Sequence, residues 1–294
     1  MRLRSRTRTP GTLRELGNNR GFTLIEMMIA SLTMVVALGV LLSFLRKDEK
    51  AREVSSHVIE SRQNARCALD FIVSEIRMAG SGVSIPVVTS TSSGDSVIIY
   101  PVTPDSIGHR YEKFTLLEKP GDTETTLLTA MANASSVIGV RDTTGFAVGD
   151  LIVVTNGSFA DLFEITAVDG GTKRFSHEAS ASYNNTAGHR PWPPGGYAVG
   201  SRVVKMSVIT YYLDRGDSTC VTIMRQVGDS EPRVISDYVN AMELSYEMQD
   251  RSVVTMPANP MLIKNVIITI EAASDEPGGR HVTRLVSSAK PRCM

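Results

Sequence analysis

The stretch that most constrains this chain is residues 21–45, GFTLIEMMIASLTMVVALGVLLSFL, in which a glycine opens a long apolar run and Glu26 is the only charged residue. At a helical rise, the ~24 residues from Phe22 to Leu45 span ~36 Å, enough to cross the hydrocarbon core of a bilayer with some tilt. A membrane-spanning helix is therefore expected. Residues 1–20 carry six arginines against one acid, Glu15. By the positive-inside rule that charge keeps the leader cytoplasmic and sends everything after Leu45 across the membrane. A secretory signal has a shorter apolar core with its small-residue cleavage site at the far end; here the small residue, Gly21, comes first. An ionised side chain inside a bilayer costs ~2.5–3.5 kcal/mol on insertion scales and as a rule faces a partner, which makes Glu26 a candidate functional residue. Its bland alternative is a carboxylate that snorkels to the interface.

The string Gly21-Phe22-Thr23-Leu24-Ile25-Glu26 resembles the cleavage and methylation signature of type IV prepilins and of type II secretion pseudopilins, with glycine, phenylalanine and glutamate at the defining positions. The resemblance implies that a prepilin peptidase cuts after Gly21, that Phe22 becomes the N-methylated first residue, and that Glu26 acts in assembly toward the amino group of a neighbouring subunit.

Past the apolar run, Arg46 to Lys50 (RKDEK) marks the exit from the membrane. The helical pattern continues. Val54, Val58, Ala65, Leu69, Ile72 and Ile76 recur at helical spacings with charged residues between them, an amphipathic stripe. No proline falls between residues 11 and 85, and Gly80 and Gly82 close the pattern. One helix from about Phe22 to Met78, ~85 Å long, is predicted, half in lipid or a filament core and half against a globular domain. The segment from Cys67-Ala68-Leu69-Asp70-Phe71 to Ile76-Arg77-Met78-Ala79-Gly80 also resembles the helix end of PilW-type minor pilins. A basic residue in the last turn and a glycine cap would end any helix the same way.

From Ser96 onward the chain turns to short runs of Val, Ile, Thr and Tyr between Gly, Asp, Asn and Pro, the pattern of strands and turns. The cleanest alternation is Met242 to Met248, which suits a sheet with one wet face. Residues 204–212 and 263–272 alternate similarly, and 219–225 and 281–287 are companions. Between 135 and 200 lie briefer strands, Ser136 to Val140, Leu151 to Thr155, Phe163 to Val168 and Arg174 to Ser176, followed by a proline-rich loop around Trp192. The predicted organisation is a cleaved leader 1–21, a long helix 22–80 (22–45 transmembrane or filament core, 46–80 amphipathic), a β-rich globular domain of 81–134 and 201–294, and an inserted β-rich subdomain 135–200.

Charge and motifs narrow the function. Removing the leader's six arginines and one glutamate from totals of 31 and 31 leaves 25 basic against 30 acidic residues. A mildly acidic mature chain without a basic patch gives no reason to predict nucleic-acid binding. The chain has none of the spacings of a serine hydrolase elbow, zinc protease, P-loop or dinucleotide fingerprint, so no catalytic residue and no cofactor is predicted. The histidines His57, His109, His177, His189 and His281 are scattered, and only His177-Glu178 faintly suggests a site. Asp150, Asp161 and Asp169 sit in neighbouring turns without the density of a calcium loop, and no metal is predicted. Of Cys67, Cys220 and Cys293, in an oxidising compartment, Cys220 and Cys293 are the favoured disulfide, with Cys67 a buried free thiol.

The fold class expected is α+β: a type IV pilin architecture, with a long N-terminal helix packed on a mostly antiparallel sheet enlarged by the insert. The expected function is a minor pilin, a structural or priming subunit of type IV pilus assembly, anchored in a bacterial inner membrane with its globular part in the periplasm and later in the pilus at the cell surface. Its partners would be other minor and major pilins, the prepilin peptidase and the inner-membrane assembly platform. A J-type minor pseudopilin of type II secretion shares the N-terminal signature; loss of protein secretion with pili retained would distinguish it. An adhesin or DNA-binding module carried on the pilus would use the insert and bind its ligand as a soluble domain, and a plain membrane anchor would stay unprocessed at Gly21.

Overall fold

The computed structural model describes residues 22–90, 96–107, 110–184, 192–216, 221–274 and 281–292. The chain forms two units, which meet between Val54 and Ser55. A single helix, α1 (Leu24–Met78), runs through both, close to the bounds its apolar periodicity predicts.

From Leu24 to Leu45 α1 is apolar on all sides but for Glu26, and every large apolar side chain from Phe22 to Leu45 is exposed. The helix is long and apolar enough to cross a membrane.

In the second unit α1 is amphipathic. Ala65, Ala68, Leu69, Ile72, Val73 and Ile76 are buried while Arg62, Arg66 and Asp70 stay exposed. The helix stops where predicted, because Gly80 takes a positive φ of 77°, open to glycine at little cost. Gly80 N–H leaves the helical pattern and donates to the Leu117 carbonyl at 2.8 Å, tying the helix end to the sheet.

The strands that follow are β1 (Val87–Ser90), β2 (Ser96–Ile99), β3 (Val102–Ile107), β4 (Arg110–Glu118), β5 (Glu124–Thr126), β6 (Ile138–Gly139), β7 (Leu151–Thr155), β8 (Ala160–Glu164), β9 (Ala167–Asp169) and β10 (Arg174–Ser176). After them come β11 (Arg202–Asp214), β12 (Thr222–Val227), β13 (Arg233–Ser236), β14 (Val239–Met248), β15 (Val253–Val254), β16 (Ile263–Ser274) and β17 (His281–Ala289). The 13-residue β11 is the spine of a ten-stranded sheet. Its first half pairs with β5 and β7, and its second half with β4 and β12. Among the described strands all pairs are antiparallel except β1 with β8. A second sheet runs β15-β14-β16-β17 and a third β6-β10-β9. The class is α+β, with the second half of a long helix packed against mostly antiparallel sheet.

Two expectations are refined. The strands 203–212, 242–248 and 263–272, expected to build one main sheet, divide between two: β11 in the ten-stranded sheet, β14 and β16 in the four-stranded one. Both close on α1, since its buried residues share one core with Phe114, Tyr211 and Ile223 on one side of the division and Leu244, Val266, Ile268 and Ile270 on the other. Boundaries at 135 and 200 also cut through hydrogen-bonded structure. β6, β9 and β10 do make a small sheet of their own, but β7 lies between β11 and β8 inside the ten-stranded sheet. Every residue of β7 is buried: Ile152 and Val154 face a core with Leu127, Phe163, Phe175 and Tyr197, whereas Leu151 and Val153 face another with Val87, Leu162 and Val204. A strand covered on both faces reads as an unbroken apolar run, here LIVVT.

Candidate functional site

The signature residues sit at the start of α1. Gly21 lies outside the described residues; Phe22 is 85% exposed and directly precedes the cap. Thr23 caps the helix, its Oγ1 accepting from Glu26 N–H at 3.3 Å. Glu26 Oε2 in turn accepts from Thr23 N–H at 2.9 Å and from the Thr23 hydroxyl at 3.0 Å. This reciprocal pair is the capping box written as Thr-x-x-Glu, which satisfies two backbone N–H groups that a helix start leaves unpaired. The signal for it is local, the Thr-x-x-Glu spacing of Thr23-Leu24-Ile25-Glu26. Glu26 thus has a local role at the helix start in addition to its place as the one charge in the apolar run.

The second constellation joins distant parts of the chain and has no sequence signal. Glu75, in the last turns of α1, accepts a bidentate contact from Arg225 of β12, with Nη2 to Oε1 at 2.7 Å and Nε to the two oxygens at 3.2 and 3.3 Å. The Tyr211 hydroxyl of β11 also donates to Glu75 Oε2. Arg225 lies 5.6 Å from the centroid of the Phe71 ring, one turn back along α1. Burial and the adjacent Glu75 carboxylate push the Tyr211 hydroxyl well above its ordinary range. Burial works against the charge on Arg225, but hydrogen bonding to Glu75 and its opposite charge outweigh that and hold its pKa above the ordinary value. Glu118 of β4 is pushed up by burial first and by the Glu75 charge second, with Arg225 partly offsetting both. The cluster fixes α1 on the sheet through a planar, charge-assisted fork rather than through apolar contact alone.

The remaining candidates are separate. Asp150 pairs with Lys205 Nζ at 2.6 Å and accepts from Ala147 N–H. Asp161 is buried and accepts from the Tyr197 hydroxyl at 2.6 Å. Asp169 closes its own turn by accepting from Gly171 and Thr172, which lowers its pKa. Among the described residues no three His, Cys, Asp or Glu side chains converge as metal ligands. His177 packs on Phe163, with ring centroids 4.7 Å apart, while the neighbouring Glu178 is exposed. His57 is exposed on α1, and His109 and His189 lie outside the described residues. Trp192 anchors its loop, its ring edge-on to Tyr197 at 5.2 Å.

Cys220 and Cys293 also lie outside the described residues. Cys67 was expected to be buried and is exposed. On a helix it stands about 200° round from Ala65, whose stripe through Leu69, Ile72 and Ile76 faces the core, so Cys67 falls on the solvent side.

The chain matches no protein-family model, no curated protein and no solved structure.

Proposed function

We propose that this protein is a type IV pilin-like subunit of the PilW-type minor pilin kind, processed after Gly21 and built into a filament or its initiating complex through the N-terminal half of α1. The observation that carries the reading is the placement of Gly21-Phe22 directly before an exposed apolar helical stretch, up to Leu45, whose one charge is Glu26 in the first turn of α1. Support comes from charge and solvation. Six arginines before the junction orient the chain with its globular unit outside the cytoplasm. An apolar helix without protein cover needs lipid or other helices around it, and a filament core supplies the same apolar surroundings as the membrane it leaves. The partners of this reading are the prepilin peptidase, the inner-membrane assembly platform and other pilins, and the chemistry is done on the chain rather than by it.

The test is the N-terminus of the mature protein. Intact-mass measurement on the protein from membranes is expected to show a chain beginning at Phe22 and carrying one extra methyl group, and a Gly21→Val variant is expected to keep residues 1–21. A wild-type chain that retains the leader, or a Gly21→Val chain that loses it, would overturn the reading.

A further inference from the structure

Most sheet edges in the second unit are blunted. β2 has four residues and is soon followed by Pro101; β3 carries Pro104 and a register shift at Asp105. β13 has four residues, follows Pro232 and pairs with a register shift. β6, β9 and β15 have two or three residues each. Short strands, prolines and bulges are the usual devices that keep an open edge from pairing with foreign chain. β17 has none of them within its own length, although Lys290 and Pro291 follow it as Pro101 follows β2. It is nine residues long, HVTRLVSSA, without proline or lysine, and it pairs with β16 through nine consecutive positions with no shift. Its other edge has no strand partner among the described residues.

The cover over β17 is also incomplete. On the neighbouring β16, the core-facing Val266, Ile268 and Ile270 are fully buried; of the residues opposite them on β17, Ala289 is buried while Ser287 and Leu285 are only half-buried. On the same face Thr283 accepts from Arg62 Nε of α1 at 2.7 Å, so the part left open is that around Leu285 and Ser287. On the outer face Val282 and Val286, both exposed, flank Arg284. The only ion pair of Arg284 among the described residues is with Glu243 at 3.5 Å, and both groups are more than half exposed, a weak surface contact that leaves the guanidinium available.

We propose that the free edge of β17 docks an extended segment of a partner protein, which adds as a further strand with an acidic side chain beside Arg284 and apolar side chains at the alternate positions beside Leu285. Strand addition draws affinity from main-chain hydrogen bonds and specificity from alternate side chains. Charge argues against a second copy of this chain as the occupant. Antiparallel pairing centred on Leu285 would set the two Arg284 side chains diagonally on one face at ~7–8 Å, and parallel in-register pairing would put them directly opposite, in each case with like charges meeting. The edge lies wholly in the second unit and would be present whatever the N-terminal segment does.

The experiment uses the full chain in detergent micelles with two synthetic nine-residue peptides of alternating valine and threonine, one with a central glutamate and one with a central lysine. The glutamate peptide is expected to slow amide hydrogen exchange across residues 282–288 and to bind about fivefold tighter than the lysine peptide, in line with the strength of cross-strand charge pairs. Arg284→Glu, an exposed change expected to leave the melting temperature unaltered, should reverse that preference. If neither peptide slows exchange, if the preference survives Arg284→Glu, or if the chain alone is dimeric with residues 282–288 already protected, the proposal fails.

Discussion

The two lengths of α1 share one backbone hydrogen-bonding pattern and differ in what covers them. From Phe22 to Leu45 every large apolar side chain is 47% or more exposed, whereas Leu69, Ile72, Val73 and Ile76 are 5% or less. The sequences explain the contrast, the first being apolar on all sides and the second on one stripe. A helix apolar all round finds its cover in lipid or in other helices, and a striped one finds it in its own domain. The second length is therefore held by tertiary packing within the chain, and the first by surroundings that the chain does not itself provide.

The largest effect expected from disturbing that packing is the removal of residues 135–200. The deletion takes out β7 and β8, separates β11 from β1, and strips Ile152, Val154, Phe163 and Phe175 from one core and Val153 and Leu162 from another. We expect the detergent-solubilised deletion variant to lose the cooperative near-ultraviolet melting transition of the second unit, while the helical signal of residues 24–45 remains. A sharp transition near the wild-type temperature would mean that the second unit folds without the segment.

Single truncations sharpen the same contrast at smaller scale. Ile72→Ala removes a fully buried side chain between α1 and both large sheets, and should lower the unfolding free energy of the second unit by about 2–5 kcal/mol. Leu38→Ala, at a position with no protein cover, should change it by less than about 0.5 kcal/mol. Denaturant titrations of the two variants in one detergent measure both. Equal losses would erase the distinction between the two lengths of the helix.

What could be read from the sequence follows from the range of the interactions. Helix α1 and strands β11, β14 and β16 announce themselves because their periodicity lies within one element, and Gly80 marks the helix end because its backbone conformation is local. The partition into sheets was hidden, because nothing along Val203 to Tyr212 says that the strand exchanges β5 and β7 for β4 and β12 halfway. LIVVT gave a strand, but it could not say that its two faces serve two cores. The Glu75–Arg225 fork was out of reach: its partners stand 150 positions apart, and each alone looks like a solvated charge. The cap made by Thr23 and Glu26 is within reach of the sequence because its spacing is local, but the same glutamate also reads as a lone charge in an apolar run, and the spacing alone does not separate the two roles.

A milder effect concerns a charge on the covered side of the comparison. Burial raises the pKa of Glu118, with a smaller push from Glu75, so the folded chain holds its proton more tightly than the unfolded chain does. Its contribution to stability is accordingly full below the ordinary glutamate value of 4.5 and is lost as pH rises through the raised folded value. Glu118→Gln keeps the shape and cannot ionise. The variant should gain stability relative to wild type as pH rises from 4.5 toward 7, by less than about 1 kcal/mol because solvent screens a half-buried group. Melting temperatures of both proteins across that range test it, and parallel curves would show that the fold does not raise the pKa of Glu118.

The smallest effect on folding is expected at Glu26, where the consequence for assembly should be greatest. Two roles overlap there, a cap for the helix and a lone charge in an apolar run, and two substitutions separate them. Glutamine still fits the capping box, so Glu26→Gln removes the charge and keeps the cap. Thr23→Ala removes the Oγ1 acceptor and keeps the carboxylate, loosening the first turn by about 0.5–2 kcal/mol. Neither change touches the second unit, whose melting should stay within about 0.5 kcal/mol of wild type. If Glu26 answers the amino group of a neighbouring subunit, that amine is left without its counter-charge in a dry helix bundle, at a cost of several kcal/mol. Glu26→Gln should then be cleaved and accumulate in the membrane yet fall about tenfold or more in sheared filaments, while Thr23→Ala enters them near the wild-type level. Equal incorporation of the two variants would reduce Glu26 to a helix cap.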